Sequence, residues 1–138
     1  MGTEFDERAR RVVRLANQEA IRFRCSEIDS EHILMALVKE GTGITEGATD
    51  DLGADLRTIR LSIEKRIEMG DTEGAAEQLP YTSLGQKVID LTKQEAVATA
   101  ESKSSEVRAE HVFRALLRAG EGIAYEVLTD LGYKYEPR

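Results

Sequence analysis

Apolar residues recur every three or four positions in several stretches of the chain, which is the spacing of one face of an α-helix. The first stripe occupies positions 9, 12, 16, 20 and 23, and Asp6 stands where a helix N-cap is expected. The next stripe, at positions 33, 34, 37 and 38, follows Ser30 as the predicted cap and precedes Gly41 as the predicted stop. No useful length of the chain alternates between apolar and polar residues. The pattern therefore predicts an all-helical fold.

Two further helices are predicted before the pattern fades. A weaker one lies between Gly43 and Gly53 and carries Ile44, Ala48 and Leu52. A stronger one has apolar residues at positions 56, 59, 63 and 67. Residues 69–80 have little periodicity and are predicted to be a linker.

After this linker the sequence repeats itself. Residues 5–20, "FDERARRVVRLANQEA", align without gaps on residues 81–96, "YTSLGQKVIDLTKQEA". "SEHILMALVKEGTG" (30–43) then returns as "AEHVFRALLRAGEG" (109–122), and this register continues through Gly53 and Gly132. Such a long match predicts two repeats of about four helices related by a pseudo-twofold axis. The second repeat is expected to be truncated, since only "YKYEPR" follows Gly132.

The expected organisation is a single domain over residues 1–138, which is enough chain to bury one shared core. Repeat 1 spans residues 5–68, the linker spans 69–80, and repeat 2 spans 81–138. A monomer is expected.

Charge and composition exclude several classes of partner. The formal net charge of −7 disfavours a nucleic-acid partner, because duplex binding depends on neutralising phosphates. No apolar run is as long as a membrane span, and the first residues lack the apolar stretch of a secretory signal. The single cysteine, Cys25, fits a reducing compartment. A cytoplasmic protein without a membrane partner is therefore expected.

The pairs Glu31-His32 and Glu110-His111 are the candidates for chemistry. Adjacent side chains on a helix diverge by about 100°, so one pair cannot meet at one metal ion. The histidines are interpreted as buried rings that hydrogen-bond to the backbone at the base of each helix. The glutamates are favoured there by the helix dipole, and they are also suited to binding a guanidinium group.

Evidence for an enzyme is lacking in the sequence. No Gly-x-x-x-x-Gly-Lys-Ser/Thr loop is present, and two histidines give no convincing nucleophilic triad. Cys25 has no histidine near it in sequence and is interpreted as a packing or surface residue. We therefore expect no catalytic residue, no cofactor and no metal. A metal site built across the pseudo-twofold from two Glu and two His, as in a helical metalloenzyme, remains the remote alternative.

The quoted stretches, taken in order from Phe5 to about Gly132, resemble the Clp N-terminal domain, and most closely the form found in ClpC-type AAA+ unfoldases. This resemblance implies two pseudo-symmetric helical repeats with no ATPase of their own. It also implies a domain that docks adaptor proteins and protein substrates for a Clp ATPase or ClpP complex. The alternative is a free-standing accessory or decoy protein that binds the Clp protease or its adaptors.

The resemblance further implies two related sites that bind phosphoarginine, in which a Thr contacts the phosphate and a Glu contacts the guanidinium. In repeat 2 the matching residues are Thr82 and Glu110, and in repeat 1 they are Asp6 and Glu31. Asp6 would oppose a phosphate, so the second pair is expected to form the better site. That pair departs from the family pattern at Ala109, which replaces the capping Thr.

Overall fold

Seven α-helices form the described part of the chain, which in this computed structural model comprises residues 4–47, 55–73, 77–98 and 106–137. In chain order they are α1 (Glu7–Arg22), α2 (Ser30–Glu40), α3 (Thr42–Gly47), α4 (Leu56–Glu64), α5 (Ser83–Ala98), α6 (Ala109–Arg118) and α7 (Ile123–Asp130). Two isolated β-bridges are the only extended pairings among these residues. The all-helical prediction is confirmed.

The ends of the first two helices agree with the sequence pattern except at one cap. Asp6 caps α1 by accepting a 2.8 Å hydrogen bond from the backbone N–H of Ala9. Gly41 ends α2 in the left-handed conformation. The prediction that Ser30 caps α2 is wrong, because Asp29 is the N-cap and its Oδ1 accepts from Ser30 N at 2.7 Å. A carboxylate interacts more strongly with the positive end of a helix than a hydroxyl does.

The fourth helix is shorter than its stripe, and the third is described only as far as Gly47. Of the residues predicted for the third helix, Ile44 is buried in α3, whereas Ala48 and Leu52 lie outside the described residues. Asp55 caps α4 by accepting from Thr58 N at 3.0 Å. Ile67 lies beyond the end of α4 but still packs against the core.

The second helix of each repeat lies at the centre of the core. Every side chain from residue 32 to residue 38 of α2 is buried, and so is every side chain from residue 111 to residue 117 of α6. Helix α1 packs on α2, helix α5 packs on α6, and the two central helices contact each other. One hydrophobic cluster therefore runs through both repeats.

The third helices connect the repeats by packing across the pseudo-twofold. Helix α3 contacts α6 and helix α7 contacts α2. Space for this packing comes from Gly43 and Gly122. A Cβ atom on Gly43 would lie 2.9 Å from the carbonyl oxygen of Ala109, and one on Gly122 would lie 2.8 Å from Ser30 Oγ. Both glycines are therefore required by a close approach to the other repeat.

The glutamate of the shared Gln-Glu-Ala motif is buried in both repeats. Glu19 Oε2 accepts from Lys39 Nζ at 2.6 Å. Glu95 receives Arg114 Nε at 2.7 Å on one oxygen and the Tyr135 hydroxyl at 2.7 Å on the other. Burial by itself raises the pKa of Glu95, but these donors lower that pKa below its ordinary value. Through the Tyr135 hydroxyl, the hydrogen bonds of Glu95 also attach the C-terminal segment to the fold.

Part of the predicted linker packs against the end of the first helix. Gly70 N donates to the carbonyl of Phe23 at 2.8 Å, and Thr72 N donates to the carbonyl of Arg24 at 3.0 Å. Residues 70–72 thus form a wall beside the loop that joins α1 to α2.

Candidate functional site

The start of each repeat's first helix is hydrogen-bonded to the other repeat. Asp6 N donates to the carbonyl of Val107 at 2.9 Å, in the segment that precedes α6. At the equivalent place, Thr82 N donates to the carbonyl of Ile28 at 3.0 Å, in the segment that precedes α2. The parallel bridges Phe5–Val107 and Ile28–Tyr81 belong to these two pairings. Backbone groups outside the helices are satisfied in this way.

These pairings exchange the predicted partners of the candidate residues. Thr82 lies in one cleft with Glu31, and Asp6 lies beside the segment that leads to Glu110. The expectation that Thr82 would join Glu110 and that Asp6 would join Glu31 is therefore wrong. Each site is built from one repeat's first helix and the other repeat's second helix.

Thr82 and Glu31 share a cleft of about 290 Å³ between the start of α2, the start of α5 and residues 70–72. We call it the Glu31 cleft. Its lining includes Arg24, Cys25, Asp29 and His32 in addition to the two candidate residues. This volume is at the lower limit of ligand pockets and suits a single side chain.

Asp29 links the two helix starts inside the Glu31 cleft. Its Oδ1 accepts from the Thr82 hydroxyl at 3.0 Å as well as from Ser30 N. The Thr82 oxygen in turn accepts from Gly85 N at 3.0 Å, which caps the first turn of α5. The Thr82 hydroxyl is therefore already used as both donor and acceptor.

Glu31 is a partly buried carboxylate that lines this cleft. Burial raises its pKa to about 6, and the neighbouring charge of Asp29 acts in the same direction. Among the residues that the structure describes, no Lys or Arg lies within ion-pair distance of Glu31. Burial, followed by the charge of Glu31, also raises the pKa of the Cys25 thiol. The cleft consequently disfavours negative charge.

Both histidines have the structural role that the sequence predicted. Nδ1 of His32 accepts from Asp29 N at 2.9 Å, and Nδ1 of His111 accepts from Arg108 N at 2.8 Å. Both side chains are buried, and burial lowers the pKa of each ring, that of His111 to about 4. A neutral ring that accepts at Nδ1 carries its proton on Nε2. In His32 this Nε2 is buried and has no partner within the described ranges.

The other helix start, at Asp6 and Glu110, differs in charge. Arg108 Nε lies 3.3 Å from Glu110 Oε1. Asp6 is used as the cap of α1. At the start of α6 the N-cap residue is Arg108, which makes no side-chain cap hydrogen bond, while its backbone N–H donates to His111 Nδ1. Ala109 is the first helical residue, so the expectation that position 109 is the capping position is wrong. Arg108 thus compensates the carboxylate of Glu110, whereas no described Lys or Arg does so for Glu31.

A second concave surface, which the sequence reasoning missed, lies between α1 and α5. Phe5, Val13, Tyr81 and Ile89 provide apolar walls of a groove of about 450 Å³. Three cations also line it, and they are Arg10, Arg14 and Lys93. We call it the α1–α5 groove. Phe5 and Tyr81 hold equivalent positions in the two repeats, as do Val13 and Ile89, so the groove follows the pseudo-twofold.

A sequence signal for this groove was present. In both repeats the buried valine of the stripe, Val12 or Val88, is followed directly by another apolar residue, Val13 or Ile89. This second residue points about 100° away from the stripe and therefore outside the core.

Metal binding and membrane insertion have no structural support in the described part of the chain. No group of three or more His, Cys, Asp or Glu side chains is placed there to hold a metal ion. None of the helices there combines the length and apolar character needed to cross a bilayer.

Comparisons with known proteins agree with one another. The family model of the Clp repeat (R) N-terminal domain matches residues 4–131. The chain is 38% identical to a chaperone protein ClpB of Oceanobacillus iheyensis, and 39% identical to the negative regulator of genetic competence ClpC/MecB of Bacillus subtilis. Each match spans 128 residues, or 93% of this chain but only 15% of the relative.

Solved structures show the same fold at lower sequence identity. The N-terminal domain of ClpD from Arabidopsis thaliana gives a TM-score of 0.67 at 18% identity, covering 96% of this chain and 87% of that one. The Hsp104 N-terminal domain from Candida albicans gives a TM-score of 0.75 at 13% identity, covering 96% of this chain and 84% of that one.

Proposed function

The chain belongs to the family of Clp repeat N-terminal domains, and on this basis we propose that it is a non-catalytic docking domain for a Clp unfoldase–protease system. Its partners are then adaptor proteins and unfolded protein substrates. The observation that carries the proposal is the α1–α5 groove, where partly exposed apolar side chains from both repeats lie beside three cations. Apolar surface rimmed by charge is typical of protein-binding sites.

The groove favours a partner segment that is apolar and acidic. Apolar side chains of the segment would cover Val13 and Ile89, and its carboxylates would meet Arg10, Arg14 and Lys93. Such charge complementarity speeds association and selects between partners. Raising the salt concentration should weaken binding to the groove for the same reason.

The test is the binding of an unfolded acidic polypeptide, casein, measured by fluorescence anisotropy. Ile89→Asp places a charge in the groove and should weaken casein binding at least ten-fold, or about 1.4 kcal/mol. Val97→Asp is the matched control, because Val97 is an exposed apolar residue on the same helix but does not line the groove. Unchanged binding by a folded Ile89→Asp variant would rule out the groove as the docking site.

A second candidate function is the reading of phosphoarginine-type marks, and it is supported by the uncompensated Glu31 carboxylate. A guanidinium in the Glu31 cleft would remove the cost of burying that charge. The Glu31 cleft is therefore a better candidate than the Asp6 side, where Arg108 already pairs with Glu110. Calorimetric titration with free phosphoarginine tests this function, and the absence of binding would leave protein docking alone.

A further inference from the structure

The two helices that form the α1–α5 groove run in opposite directions. At one end, Phe5 packs in a small apolar cluster that includes Ala96, near the end of α5. At the other end, the backbone N–H of Leu79, just before α5, donates to Asn17 Oδ1 of α1 at 2.8 Å. The groove therefore has a Phe5 end, beside the last turns of α5, and a Tyr81 end, beside the later turns of α1.

The apolar surface of the groove is the same from either end. Phe5 and Tyr81 are equivalent by the duplication, and so are Val13 and Ile89. The pseudo-twofold exchanges the members of each pair, so these side chains do not distinguish the two directions of a bound segment. The helical backbone behind Val13 and Ile89 is hydrogen-bonded within its own helix, so it does not select a chain direction as the edge of a sheet does.

The cations of the groove break this symmetry. Arg10 lies about one turn before Val13 in α1, which places it toward the Phe5 end. Lys93 lies about one turn after Ile89 in α5, which places it toward the same end. The equivalent positions of the other repeat hold uncharged side chains, those of Gln86 and Asn17. Positive charge is therefore concentrated at one end of a symmetric apolar surface.

The groove cations are not used by the fold as ion pairs. Within the described ranges neither Arg10 nor Lys93 pairs with a carboxylate, and the same is true of Arg14. Arg14 directly follows Val13 and so lies near the pseudo-twofold, where it attracts a carboxylate without favouring either end. The two cations at the Phe5 end should favour one orientation of an acidic segment over the other by about ten-fold.

We propose that the α1–α5 groove recognises the position of carboxylates relative to apolar residues and accepts the polypeptide backbone in either direction. Its ligands are segments of two or three apolar residues with acidic residues on one side only, and the acidic side lies at the Phe5 end. Lys93 and Ile89 are about 6 Å apart along α5, so the first carboxylate lies within about two extended residues of the side chain that covers Ile89. This inference rests on the proposed docking function and specifies the class of segment that docks.

The test uses two capped peptides, Asp-Asp-Ser-Leu-Val-Leu and its reversal Leu-Val-Leu-Ser-Asp-Asp, titrated into the whole chain and followed by NMR. Capping removes the terminal charges, so the peptides differ in backbone direction alone. Their affinities should agree within about three-fold, and Asp-Ser-Leu-Val-Leu-Asp, with its aspartates on opposite sides, should bind at least about five-fold more weakly. A difference of about ten-fold between the two reversed peptides would overturn the proposal. So would the absence of a saturable shift of the Val13 and Ile89 methyl signals at about 10 mM peptide.

A nitroxide label on the peptide reports its orientation in the groove. On the end away from the aspartates, the label should broaden the amide signal of Tyr81 more than that of Phe5, and it should do so in both peptides. A label beside the aspartates should give the opposite result. Broadening that follows the backbone direction, or that is equal at the two ends, would contradict the proposal.

Exchanging the two cations for the residues at the equivalent positions removes the asymmetry. Arg10→Gln combined with Lys93→Asn should bind both peptides about ten-fold more weakly and broaden both ends equally. The matched control is Arg57→Gln with Lys65→Asn, which removes the same charge at exposed positions outside the groove and should change neither result. A preserved orientation in the first variant would show that these cations do not set it. Casein binding that Ile89→Asp weakens, together with peptides that show no preferred end, would reject this inference and leave docking intact.

Discussion

Replacing Arg114 by methionine should destabilise the fold by about 3 kcal/mol. Arg114 and Glu95 form a buried ion pair in which the two side chains are only 5% and 1% exposed. Removing one partner of such a pair typically costs about 3–5 kcal/mol, because the remaining charge stays buried. The lower end is expected here, since Arg118 and Tyr135 still donate to Glu95. Methionine is the natural comparison, because Met35 holds the equivalent position in repeat 1.

A double-mutant cycle separates the ion pair from simple packing. Adding Glu95→Gln to Arg114→Met removes the stranded charge, so the double variant should be less destabilised than the sum of the single variants by at least about 1 kcal/mol. The surface control is Arg22→Met. Arg22 pairs with the equivalent Glu19, but its side chain is 50% exposed and Lys39 remains. That control should cost about 1 kcal/mol or less.

Urea denaturation, followed by circular dichroism, measures these free energies of unfolding. The comparison requires that the slope m, the dependence of the free energy on urea concentration, is the same in all variants. For a chain of 138 residues, about 3 kcal/mol corresponds to a fall in Tm of about 10 °C. A cost below about 1 kcal/mol for Arg114→Met, or strict additivity with Glu95→Gln, would refute the argument that this pair is a buried, coupled charge network.

Three further predictions concern pH, cooperativity and close packing. The fold holds the pKa of Glu31 at about 6, above its ordinary value of 4.5, so ionised Glu31 opposes folding and stability is lost as pH rises from about 4.5 through about 6. Glu31→Gln should therefore stabilise the chain by about 1 kcal/mol at pH 7.5, after allowance for solvent screening, and by almost nothing at pH 4; equal effects in urea titrations at both pH values would contradict this. Calorimetry should show one transition for both repeats, because α3 packs on α6 and α7 packs on α2, and two separated transitions would disprove the shared core. Gly122→Ala should cost at least about 1 kcal/mol more than Gly120→Ala in urea titrations: both glycines have positive φ, but a Cβ at 122 would clash with Ser30 and Leu84, whereas one at 120 would make only an ordinary 3.9 Å contact with the Arg118 carbonyl oxygen. Equal costs would show that only the backbone angle matters.

The helices were predictable because their cause is local. A stripe of apolar residues and a capping side chain determine where α1 begins, and the same is true of the glycine that ends α2. The duplication also predicted the pseudo-twofold, since equivalent stripes must be buried in equivalent ways. Even the backbone bonds of the two histidines followed from their position at the base of a helix.

The assembly of the site was not predictable in the same way. A repeated sequence shows which residues are equivalent, but it does not show whether a residue contacts its own repeat or the other one. Thr82 could have met Glu110 or Glu31 with the same periodicity, and the backbone pairing with Ile28 decides between them. The cap at Asp29 was missed for a related reason, because its second partner, Thr82, is distant in sequence.

The packing of α3 and α7 on the opposite repeat has a consequence for synthesis on the ribosome. Chains usually begin to fold from the N-terminus as they emerge. Here α2 is covered partly by α6 and α7, so the apolar surface of the first repeat stays uncovered until residues near Asp130 have left the exit tunnel. The nascent first repeat must therefore remain soluble while it is incomplete, and the charged outer face of α1, with Arg8, Arg11 and Arg14 exposed, is the part of it that favours water at that stage.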